Sequence, residues 1–181
     1  MMEKLKLLLH CCCAPCSTSV VERLLAENKY EITLYYYNPN ILPKEEYEKR
    51  LAELIRLNKE VYPETKLVVA EYEPKEFFTA ILGKENLGEG SERCTSCIGL
   101  RLRKTAEYAK NNGYDIFATT LSVSPHKNAT IINELGERYG NEFSVSYLVS
   151  DFKKKDGFKR SIELCKKYNI YRQNYCGCNL K

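Results

Sequence analysis

Hydrophobic and polar positions along this chain follow two alternating patterns, short apolar runs and longer stretches with helical spacing. An apolar run at 4–9 precedes a helical stripe over 18–28, and a β-branched and aromatic run at 31–37 ends at the turn Asn38-Pro39-Asn40. The alternation continues, with strands predicted at 66–70, 116–121 and 143–149 and helices at 45–62, 74–82, 94–111, 129–139 and 157–168. The pattern is that of repeated strand–helix units.

Strands that alternate with helices in this way predict an α/β fold with a mostly parallel sheet covered by helices on both faces. The 181 residues contain neither an internal repeat nor a low-complexity linker, so we expect residues 1–181 to form a single domain. In such a fold the loops that follow the strands share one edge of the sheet, where ligands bind. The chemistry of those loops therefore decides what the protein can do.

The loop after the first strand is the most unusual one. The apolar run stops at His10 and is followed by Cys11-Cys-Cys-Ala-Pro-Cys16, after which Ser17 or Thr18 is predicted to cap the first helix. A helix N-terminus has free N–H groups and positive potential, which lower the pKa of a nearby thiol and favour the thiolate. Thiolate is the form that binds soft metals or attacks disulfides. The sequence therefore predicts a reactive or metal-binding site here.

The other cysteines fall into two pairs and one isolated residue. Nine cysteines occur in the chain; Cys165, within a helix, is expected to be a core residue, and Cys11 can point into the sheet interior or towards the site. Seven remain as candidate metal ligands: Cys12, Cys13, Cys16, Cys94, Cys97, Cys176 and Cys178. Four thiolates hold an iron–sulfur cluster or a zinc ion, which leaves thiols for a second metal or for redox chemistry.

Two alternatives stay open at this point. The cysteines can hold a purely structural zinc, or Cys13-Ala-Pro-Cys16 can act as a thioredoxin-type dithiol. The dithiol alternative leaves the two distant cysteine pairs without a role. A structural zinc does not explain the surplus of thiols at the edge of the sheet where ligands bind.

The net charge and the lengths of the apolar runs indicate which partners and which cellular location to expect. The formal net charge of +4 is compatible with a nucleic-acid partner. The first apolar run is too short for a signal sequence, and no segment approaches the roughly 18 apolar residues of a membrane span. We therefore expect a cytoplasmic protein without membrane contact, in a compartment where clustered cysteines bind metals or catalyse rather than form disulfides.

Basic residues interleaved with aromatic ones suggest a surface for single-stranded RNA. Lysines and arginines at 153–160 lie close in sequence to Tyr171, Arg172 and Tyr175, and Arg101, Arg103 and Lys104 can extend the basic face. His126 and Lys127 can bind phosphate at a helix start or only cap that helix. The charged run at 151–156 can equally be a solvated loop.

Six motifs in order carry a family resemblance. They are His10-Cys-Cys-Cys-Ala-Pro-Cys-Ser17, Tyr36-Tyr-Asn-Pro-Asn40, Arg93-Cys-Thr-Ser-Cys97, Thr119-Thr-Leu-Ser-Val-Ser-Pro-His-Lys127, Asp151-Phe-Lys-Lys-Lys-Asp-Gly157 and Tyr171-Arg-Gln-Asn-Tyr-Cys-Gly-Cys178. Together they resemble the cobalamin-independent epoxyqueuosine reductases over nearly the whole chain. The resemblance implies a three-layer Rossmann-like fold related to the adenine-nucleotide α-hydrolases. The family pattern His-x-Cys-Cys-Ala-Pro-Cys matches Cys12, Cys13 and Cys16 and leaves Cys11 at its variable place.

The resemblance also implies a reaction. It is the removal of the epoxide oxygen from epoxyqueuosine in tRNA to give queuosine, with a [4Fe-4S] cluster, a second, mononuclear iron and an unidentified electron donor. The same seven cysteines match the family. We expect His10 or a water to donate protons and Asp151 to ligate the second iron. The residues expected to contact substrate are Asn38, His126, Lys127, Tyr171, Arg172 and Tyr175.

Two further classes of function compete with this one. An adenylating ligase would place a glycine-rich phosphate loop after the first strand, but that position holds Cys11-Cys-Cys-Ala-Pro-Cys16, which contains no glycine. A zinc-bearing RNA-binding module would account for the basic tail and for some of the cysteines. It leaves the surplus thiols unexplained.

Overall fold

The structure is a computed structural model that describes residues 2–180. Its sheet contains β1 (Leu5–His10), β2 (Tyr30–Tyr36), β3 (Lys66–Val69), β4 (Ile116–Thr119) and β5 (Ser146–Tyr147), all parallel, in the order β3-β2-β1-β4-β5. The helices are α1 (Ala14–Glu27), α2 (Lys44–Glu60), α3 (Pro74–Ala80), α4 (Glu92–Asn111), α5 (Ala129–Phe143) and α6 (Gly157–Lys167). The predicted α/β class is confirmed.

The central strands β1, β2 and β4 are buried on both faces because they carry almost continuous apolar runs. Leu7 and Leu9 of β1 join a core with residues of α1 and α2, whereas Leu8 joins a second core with Ala106 and Ala109 of α4. Successive strand residues point to opposite faces, so one run of leucines supplies both cores. Within residues 2–180, none of the helices is both long enough and apolar enough to cross a membrane.

The direction in which the strands are added reverses beside β1. The strand pairs with β2 on one side and with β4 on the other, and His10 lies opposite both Tyr35 and Thr119. The amide of Cys11 continues the ladder to the carbonyl of Tyr35 at 2.9 Å, and the amide of Thr120 bonds to the carbonyl of His10 at 3.0 Å. Such a reversal opens a crevice at the carboxyl ends of the strands. The cysteine loop enters that crevice.

The start of α1 differs from the prediction. The helix begins at Ala14 rather than at residue 18, because Pro15 has the fixed φ that suits a first helical turn. Ser17 and Thr18 are therefore inside the helix, where their hydroxyls donate to the carbonyls of Cys13 and Pro15 at 2.6 and 2.8 Å. The capping role predicted for Ser17 or Thr18 is wrong, and Cys16 lies in the first turn of α1.

The end of α5 and the extent of β5 also differ. The helix runs through Gly140 to Phe143, and the chain turns at Ser144, whose φ is 54°. A Cβ on Gly140 would lie 2.7 Å from the carbonyl oxygen of Val145, so this glycine permits close packing rather than ending the helix. β5 is consequently limited to Ser146–Tyr147 instead of the predicted 143–149.

Candidate metal centre

Three thiols converge where β1 gives way to α1. The sulfurs of Cys12, Cys13 and Cys16 all lie within 4.8 Å of one another, and those of Cys12 and Cys13 are 3.6 Å apart. The hydroxyl of Thr120, the residue directly after β4, lies 3.6 Å from the Cys12 sulfur. We call these three residues the thiol triad. Because α1 already begins at Ala14, Cys16 lies in its first turn. Its sulfur is therefore close to those of Cys12 and Cys13.

The triad favours one thiolate held by two thiols. Hydrogen bonds from the thiols of Cys13 and Cys16 lower the pKa of Cys12 well below its usual range, and the positive charge of Lys127 acts in the same direction. The same hydrogen bond raises the pKa of Cys13 to about 12, and the pKa of Cys16 is raised as well. A soft metal cation can replace these shared protons, since thiolates are the ligands that such metals prefer.

Four more cysteines line a cavity of about 100 Å³ in the same region: Cys94, Cys97, Cys176 and Cys178. Its lining also includes Asn40, Glu89, Arg93, Arg101, His126 and Lys127. We call it the cysteine cavity. The fold thus brings together the two pairs that about eighty residues separate in the sequence.

Cys94 and Cys97 owe their place to the start of α4. Ser91 caps this helix by accepting from the amide of Arg93, and the sulfur of Cys94 accepts from the amide of Gly90 at 3.3 Å. Cys97 is one turn further along and buried, and burial raises the pKa of its thiol. The two sulfurs therefore have different environments, one near the surface and one inside.

The C-terminal pair is held mainly by an arginine from α2. The buried guanidinium of Arg50 donates to the carbonyls of Tyr175 and Cys176, both at 3.0 Å, and to the carboxylate of Glu46 at 2.7 Å. The carbonyl of Gly177 accepts from the amide of Leu42 at 2.8 Å. These bonds hold Cys176 and Cys178 at the cavity, although their segment forms neither a helix nor a strand.

Two cations lie close to both groups of thiols. Burial disfavours the charged form of Arg101, but Cys97, Cys176 and Cys12 outweigh it and raise its pKa. Burial also opposes the charge of Lys127, and Cys176 and Cys12 again raise the pKa. The triad and the cysteine cavity therefore lie within electrostatic reach of the same two side chains.

Arg101 cannot extend a basic face on α4, as the sequence suggested it could. Arg101 is buried, with 3% of its surface exposed, and lines the cavity. Arg103 and Lys104 form ion pairs with Glu142 and Glu76. The helix turns Arg101 inward because Leu102, Thr105 and Ala106 on the same side are buried.

His10 is fully buried and connects three strands. One ring nitrogen donates to the carbonyl of Tyr37 at 3.0 Å, and the other lies 3.0 Å from the hydroxyl of Thr119. Burial and, secondarily, the charge of Arg101 lower its pKa to about 4, so the ring is neutral near pH 7. Asn38 is also buried and donates to the carbonyl of Cys11. The catalytic role of His10 and the substrate contact of Asn38 stay predictions.

Other predicted residues make contacts outside the lining of the cysteine cavity. Asp151 pairs with Lys153 at 3.1 Å. The Tyr171 hydroxyl donates to Glu46, and that of Tyr175 to the carbonyl of Leu42. Arg172 is placed with its guanidinium 5.9 Å from the ring of Phe158. Of the residues expected to contact substrate, only His126 and Lys127 line this cavity among residues 2–180. The roles of the others stay predictions.

Cys11 and Cys165, the two cysteines that are not among the seven candidate ligands, are core residues. Cys11 is fully buried, and its thiol donates to the carbonyl of Leu9 at 3.4 Å. Cys165 packs in the same core. Cys11 and Cys12, though adjacent, therefore have opposite surroundings, since one belongs to the core and the other to the triad.

Several residues that line the cavity were not predicted as site residues, and Asn40 and Glu89 are two of them. Asn40 is buried and its amide oxygen has no hydrogen-bond partner within residues 2–180. It ends the Tyr36–Asn40 motif after β2, so its position was a usable signal. Glu89 brings a carboxylate to the cavity from the loop before α4, where no local pattern distinguishes it from the neighbouring charged residues.

The family model of the epoxyqueuosine reductase QueH matches residues 7–180. An epoxyqueuosine reductase QueH of Staphylococcus epidermidis is 45% identical over 183 residues, which cover 97% of this chain and 76% of that protein. That of Thermotoga maritima is 34% identical over 174 residues, 94% of this chain and 87% of that protein.

A solved structure shares the fold. The U34-tRNA thiolase NcsA from Methanococcus maripaludis, determined with its [4Fe-4S] cluster, superposes with a TM-score of 0.63 at 11% identity. The match covers 98% of this chain and 62% of the thiolase. The similarity supports the α/β architecture derived above.

Proposed function

Because this chain belongs to the epoxyqueuosine reductase QueH family, we propose that it converts epoxyqueuosine in tRNA to queuosine. The reaction turns an epoxide into an alkene and water, and it consumes two electrons and two protons. The observation that carries the proposal is the thiol triad beside a cavity lined by four further cysteines. So many thiols at the ligand-binding edge of a sheet suit an iron–sulfur reductase.

The donor set fits the metal centres that this reaction needs. Three thiols of the triad and four of the cysteine cavity are enough for a [4Fe-4S] cluster and for part of the coordination of a second, mononuclear iron. When bound, such centres supply single electrons and a Lewis acid for the epoxide oxygen. An external electron donor must then provide both electrons.

Lys127 is the residue best placed to handle charge on the substrate oxygen. Its ammonium group lines the cavity, and the neighbouring cysteines keep it protonated. It can therefore stabilise negative charge that develops on the oxygen and donate one of the two protons from Nζ. Asp151 and His10 are the residues proposed from the sequence for an iron ligand and a second proton source.

The rest of the lining can select and shield the substrate. The unpaired amide oxygen of Asn40 can accept a hydrogen bond from a substrate hydroxyl, which would satisfy a buried polar atom. Phe77, Ile98 and Ile131 supply an apolar wall that limits the access of water. His126, exposed at the cavity, can contact a phosphate of the tRNA.

The proposed partners follow from the substrate. A tRNA carrying epoxyqueuosine is the proposed substrate, and the electron donor is unidentified. Tyr171, Arg172 and Tyr175 are proposed to contact the tRNA beyond the cavity. A cytoplasmic location suits both the substrate and the need to keep seven thiols reduced.

Anaerobic reconstitution tests the proposal. Purified protein is loaded with iron and sulfide, and its metal content, acid-labile sulfide and visible spectrum are measured. It is then reduced in the presence of tRNA that carries epoxyqueuosine. We expect brown protein with more than four irons per chain and queuosine in the digested tRNA. Colourless protein with one tightly bound zinc and no product would contradict the proposal and favour the RNA-binding module.

A further inference from the structure

Arg101 is a buried cation with almost no compensation from the protein itself. Only 3% of its surface is exposed, and its Nε reaches the carbonyl of Cys97 at 3.4 Å. Within residues 2–180 it forms no ion pair with a carboxylate. The two other buried arginines differ, since Arg50 bonds to Glu46 and two carbonyls, and Arg93 bonds to two carbonyls at 3.1 and 3.0 Å.

A buried guanidinium without a counter-charge is strongly unfavourable. Arg101 shares the cavity with one carboxylate, that of Glu89, but within residues 2–180 the two form no ion pair. It also shares the cavity with Cys97 and Cys176 and lies within electrostatic reach of Cys12. Thiols become negatively charged when they ligate a metal. A metal–thiolate centre therefore supplies the missing counter-charge at the one place where the fold has buried this cation.

The charge matters most during reduction. A thiolate-bound cluster becomes more negative with every electron that it accepts, and its potential depends on net charge and on nearby hydrogen-bond donors. A fixed positive charge close to the centre stabilises the reduced state more than the oxidised one. Lys127 lines the same cavity and adds a second cation.

We propose that Arg101 is a positioning residue that neutralises the thiolate-bound metal centre and raises its reduction potential. The inference rests on the proposed function, because it needs a redox-active cluster held by these cysteines. No bond forms or breaks at Arg101. One electron enters the centre from the external reductant, and the guanidinium stays charged throughout.

The test is a redox titration of the reconstituted full chain with dithionite, followed by its visible and electron paramagnetic resonance spectra. In the Arg101→Met variant we expect the equilibrium constant for one-electron reduction to fall at least tenfold, a shift of 59 mV to more negative potential. Arg101→Lys, which keeps the charge, and Arg103→Met, which removes an exposed charge from the same helix, should each stay within twofold, about 18 mV.

Two results would overturn the inference. One is an Arg101→Met protein with a full cluster and a potential within about 18 mV of the wild type. The other is an equal shift in Arg101→Lys, because the charge would then not be the cause.

Thermal melting of the metal-free chain decides the case in which Arg101→Met does not take up a cluster. A cation that only a metal centre compensates is not stabilising in the apoprotein, so the variant apoprotein should melt no lower than the wild-type apoprotein. Arg101→Lys should then restore loading. A variant apoprotein that melts at a lower temperature would show a structural role for Arg101 and overturn the inference.

The outcomes also separate this inference from the proposed function. A cluster with the expected potentials but no conversion of epoxyqueuosine would contradict the proposed reaction and leave the role of Arg101 standing. An active enzyme whose reduction potential does not change in Arg101→Met would overturn the inference about Arg101 and leave the proposed reaction standing.

Discussion

The triad and the C-terminal cysteines bring the same chemical groups to one crevice by different physical means. Cys12 and Cys13 follow β1, which pairs with a strand on each side, and Cys16 lies in the first turn of α1. Cys176 and Cys178 lie in a segment without regular structure, fixed by Arg50, by Arg93 at Leu180 and by the amide of Leu42. One set is held by a ladder of backbone bonds and the other by a few side chains.

This difference should govern how each region responds to mutation. In the strand–helix junction many backbone bonds share the task, so a neighbouring side chain can change without moving the thiols. In the C-terminal segment the loss of one arginine leaves buried carbonyls without donors and a carboxylate without its partner. Substitution of a non-ligand residue in the junction should therefore leave the thiols in place and activity retained, whereas loss of one arginine contact in the C-terminal segment should displace them.

The sharpest test within the junction compares two adjacent cysteines. Cys12→Ala removes a triad thiol, so we expect cluster loading and epoxyqueuosine reduction to fall below detection. Cys11→Ala removes a core sulfur that donates to Leu9, and it should cost about 1 kcal/mol in stability with activity retained. Iron content, visible spectrum and turnover of both variants check this. Equal losses in the two would mean that the backbone does not isolate the triad from the core.

Arg50→Met tests the C-terminal segment. The variant loses the donors to Tyr175 and Cys176, so the two thiols should shift and activity should fall by about 100-fold. Hydrogen exchange at the amide of Leu42, which bonds to Gly177, should accelerate. These effects are measured by turnover and by exchange mass spectrometry.

Arg56 provides the matched control for Arg50. It lies on the same helix and also donates to two carbonyls of the C-terminal segment, those of Tyr168 and Asn169, but these are several residues before the cysteines. Arg56→Met should leave activity within about twofold of the wild type, because its carbonyl contacts lie away from the cysteines. An Arg50→Met enzyme as active as this control would contradict the comparison.

His10 makes the junction sensitive to acid. Its pKa in the folded chain is about 4, below the usual value of 6.5, so the unfolded chain binds the proton more readily. Stability from this group is fully present above pH 6.5 and is lost as the pH falls towards 4, by about 3 kcal/mol in total. Denaturant unfolding of the metal-free chain across this range measures the loss.

A His10→Asn variant is the control for that pH dependence. It should be less stable at neutral pH and should lose much of the slope between pH 6.5 and 4. An unchanged slope would show that other groups cause it.

Gly177→Ala is the mildest test of the C-terminal segment. The glycine has a φ of 138°, and an added Cβ would lie 3.2 Å from Ile41 and 3.3 Å from the Arg50 guanidinium. We expect a loss of about 1–3 kcal/mol in stability from backbone strain. Gly88→Ala, at an exposed glycine with open space around it, should have little effect on the melting temperature. A melting temperature for Gly177→Ala equal to that of this control would contradict the strain argument.

Much of the fold was predictable because it depends on local patterns. Alternating apolar runs and helical stripes place all five strands and all six α-helices of the described chain, and the parallel orientation of the strands follows from this alternation. Boundaries failed where local and tertiary effects compete. α1 begins earlier than predicted because Pro15 suits a first helical turn. Gly140 is a residue type that often ends helices, but here it lies within α5 and permits close packing against Val145.

The candidate site was predictable in its cysteines and less so in its charges. Residue type and spacing separated Cys165 from the candidate ligands but left Cys11 open, and the structure buries both in the core. Arg101 looked like part of a solvated face because a helix of mixed charges gives no local sign of which arginine turns inward. Glu89 lies in a charged loop, and no sequence pattern distinguishes it from the neighbouring charged residues.

The sequence by itself determined the sheet, the edge where its loops meet and the kind of chemistry found there, because periodicity and residue type act locally. Only the tertiary structure decided which groups lie together. The bond from Arg50 to Cys176 spans 126 residues, and the burial of Arg101 among thiols depends on how α4 packs. Such contacts arise from packing between distant segments, and no pattern within either segment specifies them.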